Sequence, residues 1–250
     1  MTPEIPAYLV TFESAVRPFV AVVALVLIWT GAFRMEGTAQ SRYITAAALS
    51  VILVGWLAIA QYVGSANMYF AATDTAVPTI MLGLTIPLIV AAVGLRLSGA
   101  IARLISAIPL QWIVAAQVYR VGGGIFLVLW ADGRLPWQFA LPAGIGDVAT
   151  GLLAVVVAAQ LARNAAGALS AVYAWCLFGI ADLVVAVAMG AMTSPGRPHL
   201  LAFEAPNLLI TSYPLVMIPT FAVPLALILH GIVLWRLRRQ TAAKSRLAAA

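Results

Sequence analysis

The stretch Leu141–Ala162, "LPAGIGDVATGLLAVVVAAQLA", sets the terms for the whole chain. It is continuously apolar, whereas a barrel strand alternates between apolar and polar residues. At about 20 residues it is long enough, as a helix, to cross a hydrocarbon core roughly 30 Å thick. A single carboxylate, Asp147, interrupts it. Runs of the same kind recur along the 250 residues, of which 64% are hydrophobic and only 9% charged. Soluble domains carry roughly 25% charged residues, so composition excludes that class and predicts an all-α polytopic membrane protein.

Seven transmembrane helices are predicted, near 18–33, 44–63, 78–95, 105–130, 139–161, 169–189 and 208–237. Together they make one seven-helix bundle over residues 1–240, followed by a basic cytoplasmic tail at 241–250. Pro18 and Pro78 suit first helical turns, where a missing N–H costs little. The basic residues fix the expected orientation. With the N-terminus outside, the inner face holds Arg34, Arg42, Arg96, Arg103, Arg163, Arg236, Arg238, Arg239, Lys244 and Arg246. The outer face holds only Arg17, Arg134 and Arg197, and Arg120 lies within a span. This bias predicts an external N-terminus and a cytoplasmic C-terminus in a cell (inner) membrane. The acids follow suit, with Glu4, Glu13, Asp74, Asp132 and Glu204 outside and Glu36 inside. The expected partner of the basic tail is anionic lipid, not nucleic acid.

Ionisable groups within spans are expensive, at about 2.5–3.5 kcal/mol each near a helix centre, so each needs an explanation. In "AAQVYRVGGGIF", an α-helical period puts Gln117, Arg120 and Gly124 on one face. The fifth helix repeats the spacing with Gly144, Asp147 and Gly151, and the sixth with Gly179, Asp182 and Ala186. Small residues beside each charge let helices approach closely. Counting residues inward from the expected helix ends places Arg120, Asp147 and Asp182 at a shared level in the outer half of the bundle. One guanidinium and two carboxylates leave a formal charge of −1, open to a proton, a cation or a cationic ligand. Tyr213, at the outer start of the seventh helix, reads as an interfacial anchor or as a further candidate for the pocket, and Asn207 reads as a helix N-cap. Gln61, Tyr62, Asn67 and Asp74 are candidates for a pocket mouth.

The seventh helix carries "YPLVMIPTFAVPLALILH", with Pro214, Pro219 and Pro224. Each proline frees the carbonyl four residues earlier, at Ile210, Leu215 and Thr220, so a bent helix packed against protein or water is expected. His230 falls near the inner end of that helix, where capping or an interfacial position is expected, with a proton relay as the alternative. Two separated histidines and the single Cys176 make no zinc site. A retinal Schiff base needs a buried lysine, and the only lysine is Lys244. No cofactor is implied.

The quartet Gly144-Ile145-Gly146-Asp147 resembles the GxGD motif of presenilin-like and prepilin-peptidase-like intramembrane proteases. That resemblance implies Asp147 sharing a proton with a second aspartate, for which Asp182 is the candidate. In those families the partner acid precedes GxGD, whereas Asp182 follows it in the context "GIAD". The sequence therefore ranks three functions. First is a membrane protein binding or transporting a small molecule or cation through Arg120, Asp147, Asp182, Gln117 and Tyr213. Second is a non-transporting sensor or assembly subunit with a structural Arg–Asp network, partnered by another membrane protein or a second copy. Third is the protease.

Overall fold

A computed structural model describes residues 3–70 and 79–248. Pro78 and Asp74, assigned above to a helix start and an outer loop, lie outside the described residues. Among the described residues all regular structure is helical, and seven helices are long and apolar enough to cross a membrane. The first three are α1 (Ala7–Arg34), α2 (Ala39–Ser65) and α3 (Thr79–Leu97). A short helix, α4 (Gly99–Ala107), precedes the fourth span, which runs from Leu110 to Ala131. That span is composite: α5 (Leu110–Ala116), a 3₁₀ segment (Gln117–Gly124) and α6 (Ile125–Ala131). Then come α7 (Trp137–Ala162) and α8 (Ala168–Thr193). The seventh span enters through a π-helical turn at Ile218–Ala222 and continues as α9 (Val223–Ala248).

Several boundaries differ from the sequence expectation. Pro18 does not start α1 but lies inside it. The helix begins about three turns earlier, where Leu9 and Glu13 are buried, Leu9 in a cluster with Leu129, Ile210 and Leu215. Glu13, expected outside, is therefore an intrahelical acid 3% exposed, and its Oε1 has no hydrogen-bond partner among the described residues. The fourth span starts at Leu110 instead of residue 105, because Pro109 separates it from α4. The seventh does not start at residue 208. A single 3₁₀ turn, Leu209–Thr211, and an irregular stretch come first, in keeping with donors missing at Pro214 and Pro219. Asn207 does cap, since its Oδ1 accepts from the Ile210 N–H at 3.2 Å. The segment expected as a tail at 241–250 continues α9 as far as Ala248.

The fourth and seventh spans are the innermost, and α2 and α3 are the most peripheral. α7 packs along both α8 and the fourth span, while α9 packs against α3 and α8. Val114, Ile113, Met217, Phe221 and Leu183 fill the space between them. The termini lie at opposite ends of the bundle. At one end the Tyr8 hydroxyl donates to Asp132 at 2.9 Å. That bond, and then the Arg134 guanidinium, hold the Asp132 carboxyl below its ordinary range. At the other end the Arg236 guanidinium donates to the Ile108 carbonyl.

Candidate functional site

The 3₁₀ segment has three residues per turn, so residues three apart eclipse one another. Gln117, Arg120 and Gly123 accordingly share the buried face, and Gly124, favoured by an α-helical count, does not. From this face Arg120, 3% exposed, extends toward α7, α8 and α9. Its Nε donates to Asp147 Oδ1 at 2.8 Å, and its Nη2 lies 2.7 Å from the same oxygen. Nη2 also donates to Asp182 Oδ2. Nη1 donates to the Gly179 carbonyl at 3.3 Å and contacts His230 Nε2 at 3.2 Å. Three residues from the predicted site, Arg120, Asp147 and Asp182, thus meet directly.

His230 joins them, contrary to the interfacial position expected. It is fully buried because α9 extends well past it, leaving it near the middle of the seventh span. The contact with Arg120 settles its tautomer. A guanidinium has only donors, so Nε2 accepts and Nδ1 carries the proton. Nδ1 then donates toward Cys176 Sγ at 3.3 Å, and the thiol donates to the His230 carbonyl at 3.4 Å. Trp175 lies over the imidazole, with ring centroids 4.7 Å apart, and donates from Nε1 to the Thr150 carbonyl at 3.0 Å. Sequence reasoning missed both Cys176 and the role of His230. Only a correct helix end would have moved His230 to mid-span.

Missing side chains make the approach possible. A Cβ on Gly146 would collide with the Asp182 carboxylate, and one on Gly123 with Asp147. On Gly179 it would stand 2.6 Å from the His230 ring. Arg120, Asp147, Asp182 and His230 all lie near the midpoints of their spans.

Gln117 sits one 3₁₀ turn from Arg120 and serves α9: its Nε2 donates to the Ala226 carbonyl at 3.0 Å. Beside it, the Tyr119 hydroxyl donates to the Ala222 carbonyl at 3.1 Å. Tyr213 is not brought to the cluster. It lies ahead of the π turn, where its hydroxyl accepts from Arg17 Nη1 at 3.0 Å. Of the carbonyls that the prolines leave free, Thr220 accepts from Trp56 Nε1 at 3.0 Å and Leu215 from the Ile218 N–H at 3.0 Å.

Two cavities meet at Asp147. The larger encloses about 750 Å³, mouth included, between α3 (Ile80, Leu84) and α8 (Ala186, Val187, Gly190). Pro219 and Val223 also line it, and Arg197 stands at its edge. The smaller, about 400 Å³, lies between α1 (Phe12, Val16) and the stretch Tyr119–Gly123 of the fourth span. Asp147 Oδ2 has no hydrogen-bond partner among the described residues and lies beside Gly123, which lines the smaller cavity. Among those residues, no group of three or more His, Cys, Asp or Glu is arranged to hold a metal ion.

Arg120 stands between the two carboxylates, an arrangement that pairs each with a positive charge. An aspartyl protease needs its two acids to share a proton.

Comparison of the chain with curated proteins and with solved structures gives no match in either. Residues 77–238 do match one family, and the matched region runs from the start of α3 into α9 and so contains every member of the cluster. With more than half its length matched, the chain belongs to the family described as a domain of unknown function, DUF8737.

Proposed function

We propose that this multi-pass membrane protein takes a small molecule or cation into the cavity above Asp147, with the Arg120 cluster as the polar anchor. One observation carries the reading. In a cavity lined chiefly by apolar side chains, the Asp147 carboxylate, one of whose oxygens has no hydrogen-bond partner among the described residues, takes part in the lining near the midpoint of its helix. Ligand sites have this character, with mostly apolar walls and a few placed polar groups. The proposed setting is a cell (inner) membrane, with the N-terminus outside, as the distribution of Lys and Arg favours. The cavity then opens toward the outer side, on the side of Arg197.

The test is a thermal-shift screen of the full chain in detergent against small-molecule and cation libraries. Ligands that stabilise the native protein should lose that effect in Ala186→Trp, which fills the cavity, and in Asp147→Asn. Ligand shifts that survive both changes would remove the cavity from consideration.

The second reading, a structural network within a sensor or assembly subunit, is favoured by the guanidinium itself. All of its five N–H groups have partners inside the protein, as a group devoted to cohesion would. In that case neither substitution alters any ligand response, and a membrane-protein partner should co-purify with the chain. The protease reading has least behind it, given Arg120 between the acids.

A further inference from the structure

The saturated guanidinium has a consequence for what the cavity accepts. Arg120 donates to Asp147 Oδ1, Asp182 Oδ2, the Gly179 carbonyl and His230 Nε2, and its Nη2 also forms an ion pair with Asp147 Oδ1 at 2.7 Å. A guanidinium has five N–H groups, so none remains for an incoming anion. His230 is held neutral by the tautomer that Arg120 and Cys176 impose. Counted with both carboxylates ionised, the cluster carries one positive and two negative formal charges. Its free atom is an acceptor, Asp147 Oδ2, on a residue 7% exposed that lines both cavities. The walls of the larger cavity are chiefly hydrocarbon, from Leu84, Leu183, Ala186, Val187 and Val223.

We infer that the ligand is a lipophilic ammonium: a protonated amine donating to Asp147 Oδ2, with its hydrocarbon part lying between α3 and α8. This rests on the cavity reading above and narrows it to one chemical class. Charge complementarity selects the class. An anion would meet a net negative cluster with no donor to offer, and a neutral apolar molecule would leave a buried carboxylate oxygen unpaired. Arg197 at the mouth is exposed, so water screens its charge. A cation held against a carboxylate in an apolar site is the strong form of a hydrogen bond.

The experiment compares three probes of equal chain length on the full chain in detergent: n-hexylammonium, n-hexanol and hexanoate. Saturable binding is read by calorimetry and thermal shift, with Ala186→Leu as the blank for partitioning into detergent, since it fills the cavity and leaves the cluster intact. The expected result is n-hexylammonium binding at least tenfold more tightly than either other probe, with that preference lost in Asp147→Asn. Ala186→Leu also keeps the question open to measurement if Asp147→Asn fails to fold, because it should abolish n-hexylammonium binding on its own. Equal binding of n-hexanol, blocked by Ala186→Leu, would overturn the ammonium inference and leave the cavity reading standing. Tighter binding of hexanoate would do the same. If no probe distinguishes the wild type from Ala186→Leu, both fail.

Discussion

The fourth and seventh spans leave the α-helix in opposite directions at the place where they face each other. Gln117–Gly124 is wound tighter, at three residues per turn and about 2.0 Å of rise each. Ile218–Ala222 is wound wider, as a π turn. Hydrogen bonds join them, from Tyr119 to the Ala222 carbonyl and from Gln117 to the Ala226 carbonyl. The tight segment stacks Gln117, Arg120 and Gly123 in one row and so aims its polar groups. The wide segment, with its prolines, leaves carbonyls open to receive donors from elsewhere. Irregular helix in a membrane persists where protein covers it, and here each irregularity helps to cover the other.

The largest test of this pairing removes what the tight segment aims. Arg120→Ala should cost about 3–5 kcal/mol in thermal or denaturant unfolding, because it strands two buried carboxylates. Adding Asp147→Asn and Asp182→Asn should recover much of the loss. Wild-type stability in the single variant would mean that the cluster is not closed as described.

A sharper test separates winding from composition. Gly123→Ala should destabilise by about 1–3 kcal/mol through its clash with Asp147, whereas Gly124→Ala, whose added Cβ meets only Val148 at 3.4 Å, should be mild. An α-helical fourth span reverses that order.

On the wide side, Trp56→Phe should cost about 1 kcal/mol by leaving the Thr220 carbonyl bare. In a Pro224→Ala background that cost should shrink, since the new main-chain N–H at position 224 reaches the same carbonyl. A cost that does not change would separate Trp56 from the proline effect. The smallest effect is expected of Tyr119→Phe, about 0.6 kcal/mol, the usual scale of a hydrogen bond between membrane helices. A double-mutant cycle with a change in the π turn would detect it.

Much of this architecture was legible in the sequence, and the failures share one cause. Arg120, Asp147 and Asp182 stood out because a charge in an apolar run has no cheap explanation, and the structure brings the three together. Seven spans followed from hydropathy alone. Helix ends did not, because packing decides them: Leu9 carries α1 past Pro18, and α9 runs on beyond its expected end at residue 237. Each misplaced end displaced a residue. Hydropathy alone leaves Glu13 outside, His230 at an interface and Tyr213 on a helix it precedes. A period of 3.6 favours Gly124 over Gly123, and nothing in "YRVGGG" announces a period of three. Cys176 carries no signal, because a lone cysteine forms no pattern until a neighbour is known.

That cysteine has a use that its chemistry alone would not suggest. Cys176 is the only thiol in the chain and is fully enclosed, with the His230 ring on one side and the His230 carbonyl on another. A maleimide reaches it only when α8 and α9 part. Its labelling rate is therefore a clock on the breathing of the bundle's centre, and it ticks at the opening free energy of that region when closing outpaces capture. The protein carries its own stopwatch, placed where helix separation would matter most.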